Sequence, residues 1–322
     1  MSLACGVLMP CRGRLEHVRA AVESILGQSF REFEFLILDD ESEPVVAEYL
    51  AGLKDSRIRL VRHEKALGVS ASLQKGLQLL QTDLVFRMDS DDIAVRDRLR
   101  LQRDHLIAHP ETGVLGGQIR LLDTVAASPR VPLKHAEIGY RLNWSNALNH
   151  PTIVFRREVV MAAGGYDQEL ECAQDYDLWM RLFFTTRLAN LPDLLLHYRV
   201  HPGQNSSARR ASSAATRAGM RQRYRERLTG CQVGPSFDEQ DAWNPETRPE
   251  PAEWQAWQSY LLRLREVFRS GIHADVFDPG RDLARRLWRS AKAYRTAGGD
   301  PAGYEEMLKK LSRWQAFLKG VF

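Results

Sequence analysis

The first part of the chain alternates between short runs of uninterrupted apolar positions and stretches in which apolar residues recur every three or four places. Ala4–Met9, Phe33–Leu38, Ile58–Val61 and Leu84–Met88 are runs of strand length. Between them Leu15, Val18, Val22, Ile25 and Leu26 share one helical face, and Val45–Leu53 and Val69–Leu80 also read as helices. Strands interleaved with helices at this rhythm make crossover connections, so the pattern predicts an α/β domain with a mostly parallel sheet covered by helices. Beyond Val114 the rhythm loosens. Strands are expected at Val114–Leu122, Thr152–Phe155 and Leu194–Val200, with a helix over Asp175–Thr185. Trp179, spaced helically with Leu182 and Phe183, belongs to the core.

A change of composition divides the chain into a sheet domain over residues 1–204 and a helical appendage over 205–322. Ser206–Leu228 carries seven arginines, from Arg209 to Arg227, against one acid, Glu226. Gly230–Pro251 is rich in Pro, Gly and acids and reads as a linker, and helical periodicity returns at Trp254–Phe268, Asp282–Thr296 and Tyr304–Leu318. At 44% hydrophobic and 27% charged, the composition is that of a globular protein and excludes a disordered one. No apolar run is long enough to cross a bilayer, and the first residues lack the pattern of a secretory signal. The cysteines Cys5, Cys11, Cys172 and Cys231 have no metal-ligand spacing and fit reduced thiols, so a cytoplasmic location is expected. A net charge of +4 makes no case for nucleic acid.

The chemistry gathers where two strands end. Leu38 is followed by Asp39 and Asp40, and Met88 by Asp89, Ser90, Asp91 and Asp92. Ligands of open parallel sheets bind beyond the carboxyl ends of the strands, so both tips serve one edge. Three carboxylates within four residues repel one another, and a divalent cation, Mn²⁺ or Mg²⁺, removes that penalty while leaving positions for phosphate oxygens. The competing reading is that Ser90 or Asp92 caps a helix starting near Arg96.

Gly6-Val7-Leu8-Met9-Pro10, then Leu38-Asp39-Asp40-Glu41-Ser42, then Met88-Asp89-Ser90-Asp91-Asp92 together resemble family 2 glycosyltransferases of the GT-A fold. The resemblance spans roughly residues 4–203. It implies that Pro10, Arg12, Asp39, Asp40 and Asp89 hold the nucleotide and that Asp91 holds the metal, with Asp92 near the diphosphate or the acceptor. Gln174-Asp175-Tyr176-Asp177-Leu178-Trp179 is similar to a family stretch whose second acid is the catalytic base. Asp175 falls at that position, Gln174 replaces the first acid of the pair, and Asp177 reads as structural. Helix capping is the other account of Asp175. Asn149-His150-Pro151-Thr152 matches an acceptor-lining segment and makes His150 a candidate. The ending Tyr198-Arg199-Val200-His201 makes Arg199 a diphosphate contact and His201 a metal ligand. The chain departs from the family at Cys11-Arg12-Gly13, where an aromatic and an asparagine are more usual, and at Glu41, where glycine commonly precedes the serine. Leu67–Gly76 resembles a family helix beside the nucleotide.

The implied activity is an inverting transfer of sugar from a nucleotide-diphosphate donor, most often a UDP-sugar, to a hydroxyl of a growing, lipid-linked bacterial surface glycan. The arginine-rich stretch is then either a solvated helix face, a contact with anionic lipid at the inner membrane face, or a self-association surface. Nucleic acid ranks last, and the oligomeric state stays open. A nucleotidylyltransferase would carry a Gly-rich loop after the first strand, where Pro10–Arg14 has only Gly13. A catalytically inactive nucleotide-sugar-binding or scaffold module is the third reading, and Gln174 leaves it standing.

Overall fold

A computed structural model describes residues 3–122, 124, 128–200, 212–232, 251–271, 277–279, 282–283 and 286. The chain forms two compact units, one of Met1–Gly139 with Asn146–Ala214, the other of Tyr140–Ser145 with Ala215–Phe322.

In chain order the elements are β1 (Cys5–Cys11), α1 (Leu15–Leu26), β2 (Glu34–Asp39), α2 (Pro44–Gly52), β3 (Ile58–Arg62), α3 (Val69–Leu79), β4 (Leu84–Arg87) and β5 (Ile93–Ala94). There follow α4 (Arg98–Ala108), β6 (Thr112–Leu122), α5 (His135–Leu142), β7 (Val154–Arg156), α6 (Arg157–Ala162), α7 (Gln174–Leu182) and β8 (Arg187–Arg199). The strands form one mixed sheet in the order β3-β2-β1-β4-β7-β6-β8-β5. Pairing is parallel for β1 with β2 and β4, β2 with β3, and β6 with β8. It is antiparallel where β7 joins β4 and β6, and where β5 joins β8.

Both faces of the central strands are covered, which is why they read as unbroken apolar runs rather than alternating ones. Val7 and Met9 of β1 join Phe35 and Ile37 of β2 and the buried face of α1 (Val18, Ala21, Val22, Ile25) in one cluster. Leu8 and Leu38 point the other way, towards α3. The approach there is close: a Cβ on Gly76 of α3 would stand 2.2 Å from Leu8 Cδ1.

The structure departs from the sequence reading in several places. β5, α5 and α6 gave no periodic signal, and β8 starts at Arg187 rather than Leu194. The helix expected near Arg96 begins at Arg98 with Asp97 in the N-cap position, and β5 separates it from the acidic loop. Neither Ser90 nor Asp92 caps it. Tyr304–Leu318, and most of Asp282–Thr296 and Gly230–Pro251, lie outside the described residues.

The second unit contains α8 (Ser212–Thr229) and α9 (Pro251–Arg269). Trp144, Tyr224, Trp257, Tyr260, Leu264 and Phe268 are buried in it. The basic stretch is not simply a solvated face, because Arg221 and Arg225 are each only 4% exposed. The Arg225 guanidinium lies 5.1 Å from the Trp144 ring and 5.7 Å from those of Trp257 and Tyr260, and it donates to the Asn143 carbonyl at 2.7 Å. Cation–π contact and a charge-assisted hydrogen bond offset the cost of its burial. Among the described residues no helix is long and apolar enough to cross a membrane.

Candidate active site

The strand order puts β1 between the two strands that end in acids. β2 and β4 are therefore not neighbours; each pairs with β1, Cys11 opposite Asp39 and Leu8 opposite Arg87, and both still serve the one edge. The chain runs outward from β1 through β2 to β3 and then returns to β4 on the other side. The carboxyl edge at such a reversal is the usual binding place in sheets of this kind. The end of β1 holds the first acidic loop and lies beside the second. The Cys11 carbonyl accepts from Asp40 N (2.9 Å) and Ser42 Oγ (3.2 Å), and the Cys11 thiol is pushed up to about 12 by burial and by Asp39, with Ser42 and Ser90 acting the other way. Pro10 is partly exposed at this end of β1, and Arg12 and Gly13 just beyond are exposed.

The first acidic pair is internally committed. Asp39 accepts from Ser42 N at 2.9 Å and lies 3.4 Å from Arg62 Nε. Asp40 accepts from Leu67 N (2.7 Å) and Gly68 N (3.0 Å), with His63 Nδ1 3.0 Å away. Burial works to raise the Asp40 carboxyl, but the Leu67 and Gly68 N–H groups and His63 outweigh it and leave the group below the usual carboxylate range. Asp40 thus fixes the loop that leads into α3.

The second acidic loop carries the denser charge. One oxygen each of Asp89, Asp91 and Asp92 lie within 4.8 Å of one another. Both oxygens of Asp89 accept from the guanidinium of Arg87, the last residue of β4. Asp92 accepts from Arg199 N at 2.9 Å through Oδ1, while its Oδ2 is buried without a hydrogen-bond partner. Burial, with Asp89 and Asp91 nearby, pushes the Asp92 carboxyl up to about 9. An orphaned carboxylate oxygen in an all-oxygen cluster suits a hard divalent cation, so the residues present fit one. Arg199 braces the same loop, its Nε donating to the Asp91 carbonyl at 3.1 Å. Beneath the loop Arg98, fully buried, donates to the Arg87 carbonyl at 2.6 Å and to Gln102 Oε1 at 3.2 Å. His201 lies outside the described residues.

Asp175 stands in the first turn of α7. The helix terminus pulls its carboxyl down through the Tyr176 N–H, and Asn146 adds to that, yet burial prevails and the group is raised. The charge of Asp175 is felt by Asp89 and by Tyr166, which brings the β4 tip and the start of α7 into one electrostatic neighbourhood. The Tyr166 hydroxyl pairs with His150 Nε2 at 2.9 Å, and the Tyr166 N–H donates to Gln74 Oε1 at 2.9 Å. Burial, and Arg87 beside it, keep His150 neutral. His150 also packs edge-on against Trp179, which is fully buried. Asp177 pairs with Arg181 at 2.7 Å.

Arg87, Arg98, Tyr166 and Asn146 were not singled out from the sequence. For Arg87 there was a signal, a charged residue closing an apolar strand just before an acidic loop. For the others only the contacts made in the fold reveal the role.

An eight-stranded mixed sheet with helices on both faces and an acidic carboxyl edge has the architecture of the GT-A fold. Residues 1–349 of S. aureus TarS in complex with UDP-GlcNAc share the fold at a TM-score of 0.59 and 15% identity, over 97% of this chain and 92% of that one. The mannosyltransferase PcManGT from Pyrobaculum calidifontis, solved with GDP-Man and Mn²⁺, does so at a TM-score of 0.55 and 14% identity, over 98% and 83%. The profile described as Glycosyl transferase family 2 matches residues 6–162. An uncharacterized glycosyltransferase from Haemophilus influenzae is 32% identical over 62% of this chain and 76% of its own length. The amylovoran biosynthesis glycosyltransferase AmsE from Erwinia amylovora is 32% identical over 57% and 71%. The chain belongs to glycosyl transferase family 2.

Proposed function

We propose that this protein is an inverting, metal-dependent transferase that moves a sugar from a UDP-sugar onto a hydroxyl of a growing bacterial surface glycan. The observation that carries the reading is the half-buried Asp175, its carboxyl raised by burial, whose charge acts on Asp89 of the Asp89–Asp92 cluster beside β1. Asp39 and the β1 end serve the nucleoside, Asp89 the ribose, and Asp91 with Asp92 the metal, while Asp40 positions the loop before α3. A divalent ion held there supplies positive charge to the departing diphosphate. Asp175 takes the proton of the acceptor hydroxyl as its oxygen bonds the anomeric carbon and the bond to the diphosphate breaks on the opposite face. A base whose proton affinity is raised suits that task. Two relatives support the acceptor class by what their names state. One is AmsE; the other is an Escherichia coli galactosyltransferase acting on GlcNAc-diphosphoundecaprenol, 30% identical over 50% of this chain and 60% of its own length.

Thermal-shift titration of UDP, GDP and UDP-sugars with and without Mn²⁺ tests the donor and the metal together. UDP compounds should raise the melting temperature only when Mn²⁺ is present, and Asp91→Asn should abolish the rise. Asp175→Asn should keep the shift and lower kcat by about 10²–10⁴-fold. Metal-independent binding, or turnover untouched in Asp175→Asn, would refute the scheme; binding with no transfer in the wild type would leave a binding module instead.

A further inference from the structure

Within α7 the Tyr176 N–H acts on the Asp175 carboxylate, and a side chain from outside the helix engages it as well. That side chain comes from the segment between α5 and β7. Asn146 Nδ2 donates to Asp175 Oδ2 at 2.6 Å, and Asn146 Oδ1 accepts the Leu148 N–H at 3.3 Å. The second contact settles the first: with its oxygen held by a backbone donor, the amide can only present its NH₂ to the carboxylate. A flipped amide would set oxygen against oxygen at Asp175. The segment itself is anchored on the sheet. Asn149 Nδ2 donates to the Gly117 carbonyl of β6 at 3.0 Å, and Asn190 Nδ2 of β8 donates to the Ala147 carbonyl at 3.1 Å. Asn146 is therefore a rigid donor on a rigid mount.

We propose that Asn146 is a positioning residue for the transfer, its amide engaging one oxygen of Asp175 so that the carboxylate's remaining lone pairs are aimed at the acceptor hydroxyl. This rests on the reading of Asp175 as the base. A donor hydrogen bond also stabilises the ionised form, so Asn146 sets how far into acid the base stays deprotonated. The other groups acting on Asp175 are Arg87 and Asp89 at the β4 tip, Tyr166 after α6, and the Tyr176 N–H in α7. All of them persist when Asn146 alone is changed.

Transfer rates of Asn146→Ala and of the near-isosteric Asn146→Asp, measured across pH, test the assignment. In Asn146→Ala kcat should fall roughly ten- to a hundredfold with the donor KM unchanged, and the acid limb of kcat/KM should move to higher pH. In Asn146→Asp, where a second carboxylate faces the first, the limb should move further and activity should return in alkali. The second variant keeps the packing should the first fail to fold. Wild-type profiles in folded variants, or a lower kcat with the acid limb unmoved, would reduce Asn146 to a packing role. Asp175→Asn in parallel separates the two claims. If it retains turnover, the base reading itself fails; if it loses turnover while both Asn146 variants behave as wild type, only the present inference does.

Discussion

Glu41 has φ 60° and Ala173 has φ 58°, the only non-glycine residues with positive φ among those described. A side chain in this left-handed region costs roughly 1–2 kcal/mol and persists where the surroundings over-determine it. Glu41 follows Asp40 directly, and Ala173 stands two residues before Asp175, so both strained positions flank site carboxylates. Glu41 recovers little, through one exposed hydrogen bond from Ala66 N to its Oε2 at 3.2 Å. Glu41→Gly should therefore raise stability by about 1 kcal/mol, a few degrees in melting temperature. Calorimetry showing no rise, or a fall, would contradict the strain. The glycine usual here in relatives now has its reason, a backbone angle that no single sequence displays. The aspartates of the two tips were readable because strand, tip and acid are contiguous in the chain. Asn146 was not, since its partner is distant in sequence and an asparagine among NWSNALNH has no periodic meaning.

At the level of elements, β1 organises the edge. Its last residue bonds the first acidic loop, and the second is braced at the end of β4 by Arg98 and at Asp91 by Arg199. The central strands were legible because both their faces are buried. β5, two residues long, and α6, six residues long, are too short to carry a period and are set by pairing and packing with distant segments. The loop has a consequence for ion binding. With its carboxyl pushed up to about 9, Asp92 holds a proton at neutral pH, whereas an ion requires the carboxylate. Mn²⁺ should therefore bind more tightly as pH rises towards that value and should release protons as it binds. Calorimetric heats that change between buffers of different ionisation enthalpy would report the release. Heats that match in every buffer, with affinity flat between pH 6 and 8 (roughly, the range around neutrality), would mean that Asp92 is already ionised.

On the scale of the whole molecule, the second unit is assembled from two separated stretches, Tyr140–Ser145 and Ala215–Phe322. Within it the Tyr140 hydroxyl donates to Asp282 at 2.6 Å and the Tyr260 hydroxyl to Asn143 Oδ1 at 2.7 Å. Trp144 packs against Trp257 and Tyr260 with ring centroids 5.8 and 6.4 Å apart. A chain cut after Ala214 keeps the hexapeptide and loses these partners. Re-exposing a large aromatic side chain forfeits roughly 1.5–3 kcal/mol, so the shortened chain should melt lower and self-associate in light scattering. A monomer of unaltered melting temperature would show that the hexapeptide stands without them. The same threading bears on how such chains diversify. A C-terminal segment exchanged between relatives by a single crossover would arrive without its internal hexapeptide, and the recipient's own Trp144 and Asn143 would have to fit a foreign set of rings. Lineages that trade these tails must therefore either alter both stretches together or keep the hexapeptide's chemistry constant while the tail varies around it.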